Sequence, residues 1–200
     1  METRALFKVL DYEKEIVTIY TQFDGYPEGL PLGVAKYLAN RRLVNGIAPD
    51  KYFKVVNGMD DVAAHVVAYL KHLITESYKK FTGENGEGFI AGTIYIMPPG
   101  TRGVGEKYIY YIYPDPEYAH LISHLIRLEL KLRKENEKAR KKGNDAEIEN
   151  IREAIRDLEK RFLESGWSVF IKAVKVRDGK EMMIFNGTAE EYVKKFEKES

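Results

Sequence analysis

Cysteine is absent from the chain, so neither a disulfide nor a thiolate metal site can be built from it. Long apolar runs are missing too, and no stretch approaches the roughly 18 to 20 residues that a transmembrane helix needs. Nor is there a surplus of charge of one sign. The formal net charge is +1, which argues against a surface built throughout to hold nucleic acid or an anionic membrane. Met1-Glu2-Thr3-Arg4 leads into an alternating strand and not into the apolar core of a signal peptide, so a cytoplasmic location is expected. Glutamine occurs only at Gln22, while Lys, Glu and Arg are plentiful. Heat favours ion-pair networks and selects against labile amides and thiols, so this balance points to a thermophilic source.

What is present suffices for a core. Hydrophobic residues make up 44% and charged residues 32% of the 200 positions, a balance that supports folding rather than disorder. Residues 5–10 and 15–22 are β-branched and aromatic runs around a short polar link, the pattern of a β-hairpin. After the turn formers of Asp24–Gly29, Leu32, Ala35, Leu38 and Ala39 recur at helical spacing until Asn45-Gly46 interrupts them. A second helix is predicted from Asn57-Gly58-Met59-Asp60-Asp61 to about Gly83, with its acidic residues at the positive end of the helix dipole. Residues 89–97 and 106–113 are apolar on both alternating faces, which predicts central strands covered on both sides. Strands at 167–176 and 181–185 follow, then a helix at 189–198 started by a Thr188/Glu191 capping box.

Between these strands the rhythm changes. Leu121, Leu125, Leu128 and Leu132 alternate at spacings of four and three, and Ile148, Ile151, Ile155, Leu158 and Phe162 resume the seam after Gly143-Asn144. Two seams around one turn predict an antiparallel, coiled-coil-like helical hairpin. The expected fold class is α+β: a mainly antiparallel sheet of about six strands packed with helices. Residues 1–116 and 166–200 form its single core domain, and residues 117–165 form the inserted hairpin.

Several motifs resemble those of a scattered family of small uncharacterised proteins from phages, archaeal viruses and host genomes. They are the Asp24-Gly25-Tyr26-Pro27-x-Gly29 loop, the Asn57-Gly58-Met59-Asp60-Asp61 helix start, Glu106–Tyr110 and Phe185-Asn186-Gly187-Thr188. The resemblance covers the core and implies a viral or provirus-type protein, in the host cytoplasm if viral. It implies no activity, and its pattern has a much shorter connection where this chain carries the hairpin.

Candidate chemistry is sparse. Backbone amides of the Asp24–Gly29 loop could cradle an anion with Asp24 and Tyr26 beside it, although no Walker ending is present. A tight turn with Gly25 and Gly29 at positive φ and Tyr26 packed on the core accounts for the same residues. Asn57, Asp60 and Asp61 could hold a divalent ion, but helix capping explains all three more simply. Arg102, on a Gly-rich loop, could close over an anionic ligand and form ion pairs at rest. His120 and His124 stand one helical turn apart without a third spaced ligand, so no metal site is assigned. No cofactor motif and no activated nucleophile is evident, which leaves enzymatic activity open. Tyr108, Tyr110, Tyr111 and Tyr113 could stack bases, but core packing is the simpler reading.

The hairpin carries the more informative pattern. Ile122, Ile126 and Leu130 form a second apolar stripe that an intramolecular pair cannot bury together with the seam. Either the parent domain covers it, or a second copy or a partner protein does. We therefore expect a non-enzymatic interaction protein, a homodimer or a binder of a partner protein. The alternative is an enzyme or sensor for a phosphorylated small molecule or nucleotide at Asp24, Tyr26, Asn57, Asp60, Asp61 and Arg102, if those segments converge. Arg140, Lys141 and Lys142 at the hairpin tip offer a lesser route to nucleic acid, and no membrane association is expected.

Overall fold

The computed structural model describes residues 2–44, 54–82, 94–142, 145–165 and 167–197. Strands β1 (Ala5–Asp11) and β2 (Lys14–Thr21) pair antiparallel around Tyr12, whose φ of 55° makes the tight turn. Helix α1 (Leu30–Ala39) starts with Pro31 in its first turn, where a missing N–H costs nothing. Strands β3 (Arg42–Val44) and β4 (Val55–Asn57) come next, then helix α2 (Gly58–Thr82). Strands β5 (Ile94–Met97) and β6 (Tyr108–Pro114) lead to helices α3 (Pro116–Lys142) and α4 (Asp145–Ser165). Strands β7 (Val169–Arg177) and β8 (Lys180–Thr188) and helix α5 (Ala189–Phe196) complete the order.

The main sheet runs β5-β2-β1-β6-β7-β8. Every neighbouring pair is antiparallel except β1 and β6, which run parallel, so the chain is α+β as expected. Strand alternation divides the sheet into two faces. Phe7, Val9, Ile19, Tyr110, Ile112 and Ile171 join the buried cluster that α1, α2 and α5 complete, with Phe7 and Tyr110 stacked at 5.2 Å. On the other face Leu6, Ile109 and Val174 make a smaller buried cluster against Val104, which belongs to the loop 98–107.

Two expectations need correction. The segment 94–97 is an edge strand, not a central one. It pairs only with β2, and Tyr95 and Ile96 are 44% and 66% exposed. Apolar residues on both faces of a strand do not distinguish a covered strand from an exposed edge, and residues 89–93 lie outside the described part. The first helix stops at Ala39, before the Asn45-Gly46 break, because β3 intervenes. Leu43 exchanges both backbone hydrogen bonds with Trp167, at 2.7 and 3.1 Å, and β3 runs parallel to β4. Three residues are too few to show a period, so this strand could not be read from the sequence.

Helices α3 and α4 run antiparallel, as the ion pairs Lys131–Glu147 (3.1 Å) and Arg161–Glu117 (3.9 Å) require. Leu121, Ile148 and Ile151 are buried, and Leu125, Leu128, Leu132, Ile155 and Leu158 are half-buried along the same seam. At its start α3 joins the main core through Tyr118 and Leu121, and Tyr118 meets the Trp167 ring edge-on at 6.2 Å. The expected turn at Gly143-Asn144 lies outside the described residues.

Candidate functional site

The Asp24–Gly29 loop is held from several sides. The buried Tyr110 hydroxyl donates to the Gly25 carbonyl at 2.8 Å, and the Tyr192 hydroxyl donates to the Pro27 carbonyl at 3.1 Å. The amides of Gly25, Gly29 and Leu30 donate to the carbonyls of Thr3, Tyr26 and Asp24. Those three amides are therefore committed to the fold and not presented to an anion. The positive φ belongs to Asp24 (53°), not to the glycines. Gly25 is required for another reason: a Cβ there would stand 2.5 Å from the Ala5 Cβ and 2.7 Å from the Thr3 carbonyl oxygen. Tyr26 is not packed on the core either but is 38% exposed at the start of β1.

Asp60 and Asp61 stand at the other end of that strand. Asp11, the last residue of β1, has its carboxyl raised by burial and by the nearby Asp60 charge. Seven strand residues, about 20 Å, separate it from Ala5 and the Asp24 loop. Asp61 Oδ2 accepts from the Asn57 amide at 2.8 Å, a reach-back contact at the helix start. Its Oδ1 lies 3.5 Å from His65 Nε2, and His65 Nδ1 shares a hydrogen bond with the Tyr37 hydroxyl. Arg41 caps the Tyr37 ring at 3.3 Å and Tyr69 stacks on it at 4.4 Å. This polar string ties α1 to α2, and the sequence reading missed it because its members are distant in the chain.

Arg102 lies on the opposite face of the sheet. Its guanidinium bonds both Glu181 and the Tyr111 hydroxyl, pinning the loop 98–107 over the small cluster. The six residues named from the sequence therefore occupy three places and share no cavity. The same loop covers a second missed feature. Lys8 is 1% exposed, with its ammonium 3.0 Å from Glu15 Oε2, while the Gly100 amide donates to Glu15 Oε1 at 2.9 Å. A lysine interrupting Leu6-Phe7-Lys8-Val9 was the available signal: a charge in mid-strand implies a partner.

The tyrosines of β6 serve the sheet. Tyr110 is buried, Tyr111 bonds Arg102, and Tyr113 donates to Asn186. His120 and His124 are exposed, and among the described residues no group of three or more His, Asp and Glu could hold a metal. No helix among the described residues is long and apolar enough to cross a membrane.

Ile126 and Leu130, the described members of the second stripe of α3, are uncovered, at 50% and 51% exposed, whereas the seam leucines beside them turn toward α4. At 3.6 residues per turn the stripe lies more than a third of a turn from the seam. The side chains of Ile122, Arg140, Lys141 and Lys142 lie outside the described residues. Fold and site together define an α+β molecule whose sheet is helix-covered on one face and strapped by a loop on the other, with a long apolar-striped helix pair beside it. Set against protein-family models, curated proteins and solved structures, the chain matches none.

Proposed function

We propose that the chain is a non-enzymatic interaction protein, of viral or provirus type, that self-associates through the outer face of α3. One observation carries this reading: Ile126 and Leu130 stay half exposed on a helix whose other apolar face is already closed against α4. Large apolar side chains aligned at helical spacing and left in water mark a contact surface. Charge favours a second copy as the occupant. Helix α3 carries eight basic and four acidic residues, and α4 carries seven acidic and four basic. A two-fold arrangement laying α3 of one protomer across α4 of its partner sets opposite charges together and completes a four-helix bundle. The 27 residues of α3 span about 40 Å, long enough for an interface of ordinary size.

Light scattering after size-exclusion chromatography tests it. The wild-type chain is expected at twice its monomer mass, and Ile126→Lys combined with Leu130→Glu is expected to give a folded monomer. A wild-type monomer at tens of micromolar, about the range where weak dimers form, would remove the reading.

A further inference from the structure

A cleft of about 850 Å³ opens at the end of the sheet where β1 and β6 begin and β7 ends, lined by Thr3, Tyr26, Lys107, Tyr108, Lys175 and Arg177 among others. Its volume falls in the range of sites for drug-sized ligands. None of its cationic side chains was named from the sequence, whereas its tyrosines, Tyr26 and Tyr108, were.

The fold brings these groups together for definite reasons. Tyr108 and Lys175 are direct partners across β6 and β7, so their side chains share one face. Arg177 follows two residues on, on that same face and roughly 7 Å further along. Lys107 is held through both of its backbone polar groups. Its amide donates to the Arg4 carbonyl at 2.9 Å, and its carbonyl accepts from Val176 at 2.8 Å. Tyr26 arrives on the loop that the Tyr110 and Tyr192 hydroxyls anchor. The aromatic and cationic groups thus stand on strands and a braced loop, not on free chain.

The charge balance selects the ligand. Among the described residues Lys175 has no ion pair, Lys107 has none within 4 Å although its charge acts on the Glu2 carboxylate, and Arg177 has only a 4.0 Å contact with Asp178, whose side chain is 92% exposed on the turn tip. Asp178 is the single acid in the lining. Burial, with Glu28 nearby, raises the Tyr108 phenol, so it stays a hydrogen-bond donor across the neutral range. Three cations and a phenol suit phosphate oxygens, and the half-exposed Tyr26 ring offers a stacking surface.

We propose that this cleft binds a nucleotide, with its phosphates on Lys107, Lys175 and Arg177 and its base on Tyr26. The site is independent of the self-association reading and uses none of Asp60, Asp61 or Arg102. The test is isothermal titration of the full chain with ATP, pyrophosphate and adenosine. ATP is expected to bind more tightly than either fragment. Lys175→Ala with Arg177→Ala, both at exposed positions, is expected to weaken ATP by about tenfold or more, as loss of two charged contacts should. Tyr26→Ala is expected to weaken ATP while leaving pyrophosphate unchanged. Three results would each overturn the assignment: no ATP heat at about 1 mM, ATP affinity untouched by the double substitution, or pyrophosphate binding as tightly as ATP. Circular dichroism confirms that each variant remains folded.

Discussion

Lys8 is the residue whose environment says most about the sheet. A buried ammonium is tolerable beside a carboxylate, and Glu15 supplies it, its own carboxylate accepting from Thr18 and the Gly100 amide as well. Lys8→Met should therefore destabilise by about 3 kcal/mol or somewhat more, since it strands a mostly buried carboxylate. Adding Glu15→Leu should recover most of that loss, and urea titrations of the three variants read both values. Acid should weaken the same pair. Burial works against the Glu15 carboxylate, yet hydrogen bonds from Thr18, Gly100 and Lys8 hold its carboxyl below the ordinary range. A depressed folded-state value contributes stability above the unfolded carboxylate value of about 4.3 and loses it as pH falls through the lower folded value. The stability gap between wild type and Glu15→Gln should thus hold at neutral pH and narrow as the pH falls below about 5 and on through the lower folded value. A gap that widens on acidification would contradict the ion-pair role. A residue in mid-strand was legible as anomalous, but its partner was not, because strand register and the returning loop 98–107 decide it.

Elements were more legible than contacts. The β1–β2 hairpin, α2, the β7–β8 hairpin and the capping box at α5 each rest on local signals of period, turn or cap, and each appears where those signals lie. Thr188 accepts from the Glu191 amide at 3.2 Å, and the Glu191 carboxylate accepts from the Thr188 amide at 2.7 Å. Thr188→Ala should cost about 1 kcal/mol, seen as a lower urea midpoint with an unchanged slope; no shift would mean that tertiary packing alone fixes α5. The Asp24–Gly29 loop was legible as a turn but not as a braced one. Its brace depends on Tyr110 and Tyr192, which stand 85 and 165 residues from their acceptors. Tyr110→Phe leaves the Gly25 carbonyl without that donor and should cost about 1–3 kcal/mol. Edge position and the short β3 strand stayed hidden for the same reason: pairing partners are properties of the fold, not of a window of sequence.

At the scale of the molecule, the outer side of α3 is an exposed apolar surface aligned along a helix, beyond the sheet's helix-covered and strapped faces. Six candidate residues chosen for their chemistry scattered to three places, so the sequence located chemistry-bearing types without locating a shared site. The apolar stripe fared differently, because helical periodicity alone assigns residues to faces. Ile126 and Leu130 lie on the uncovered side as that periodicity requires. Absence of cysteine makes a direct test clean. A spin label on Arg127→Cys, an exposed position flanking the stripe, reports its distance to the label on any second copy. Helices packed about 10 Å apart should place the two labels roughly 20–35 Å from each other, and Ile126→Lys should abolish the dipolar signal. The absence of any intermolecular coupling in the wild-type background, at a concentration of tens of micromolar or more, would contradict self-association through α3.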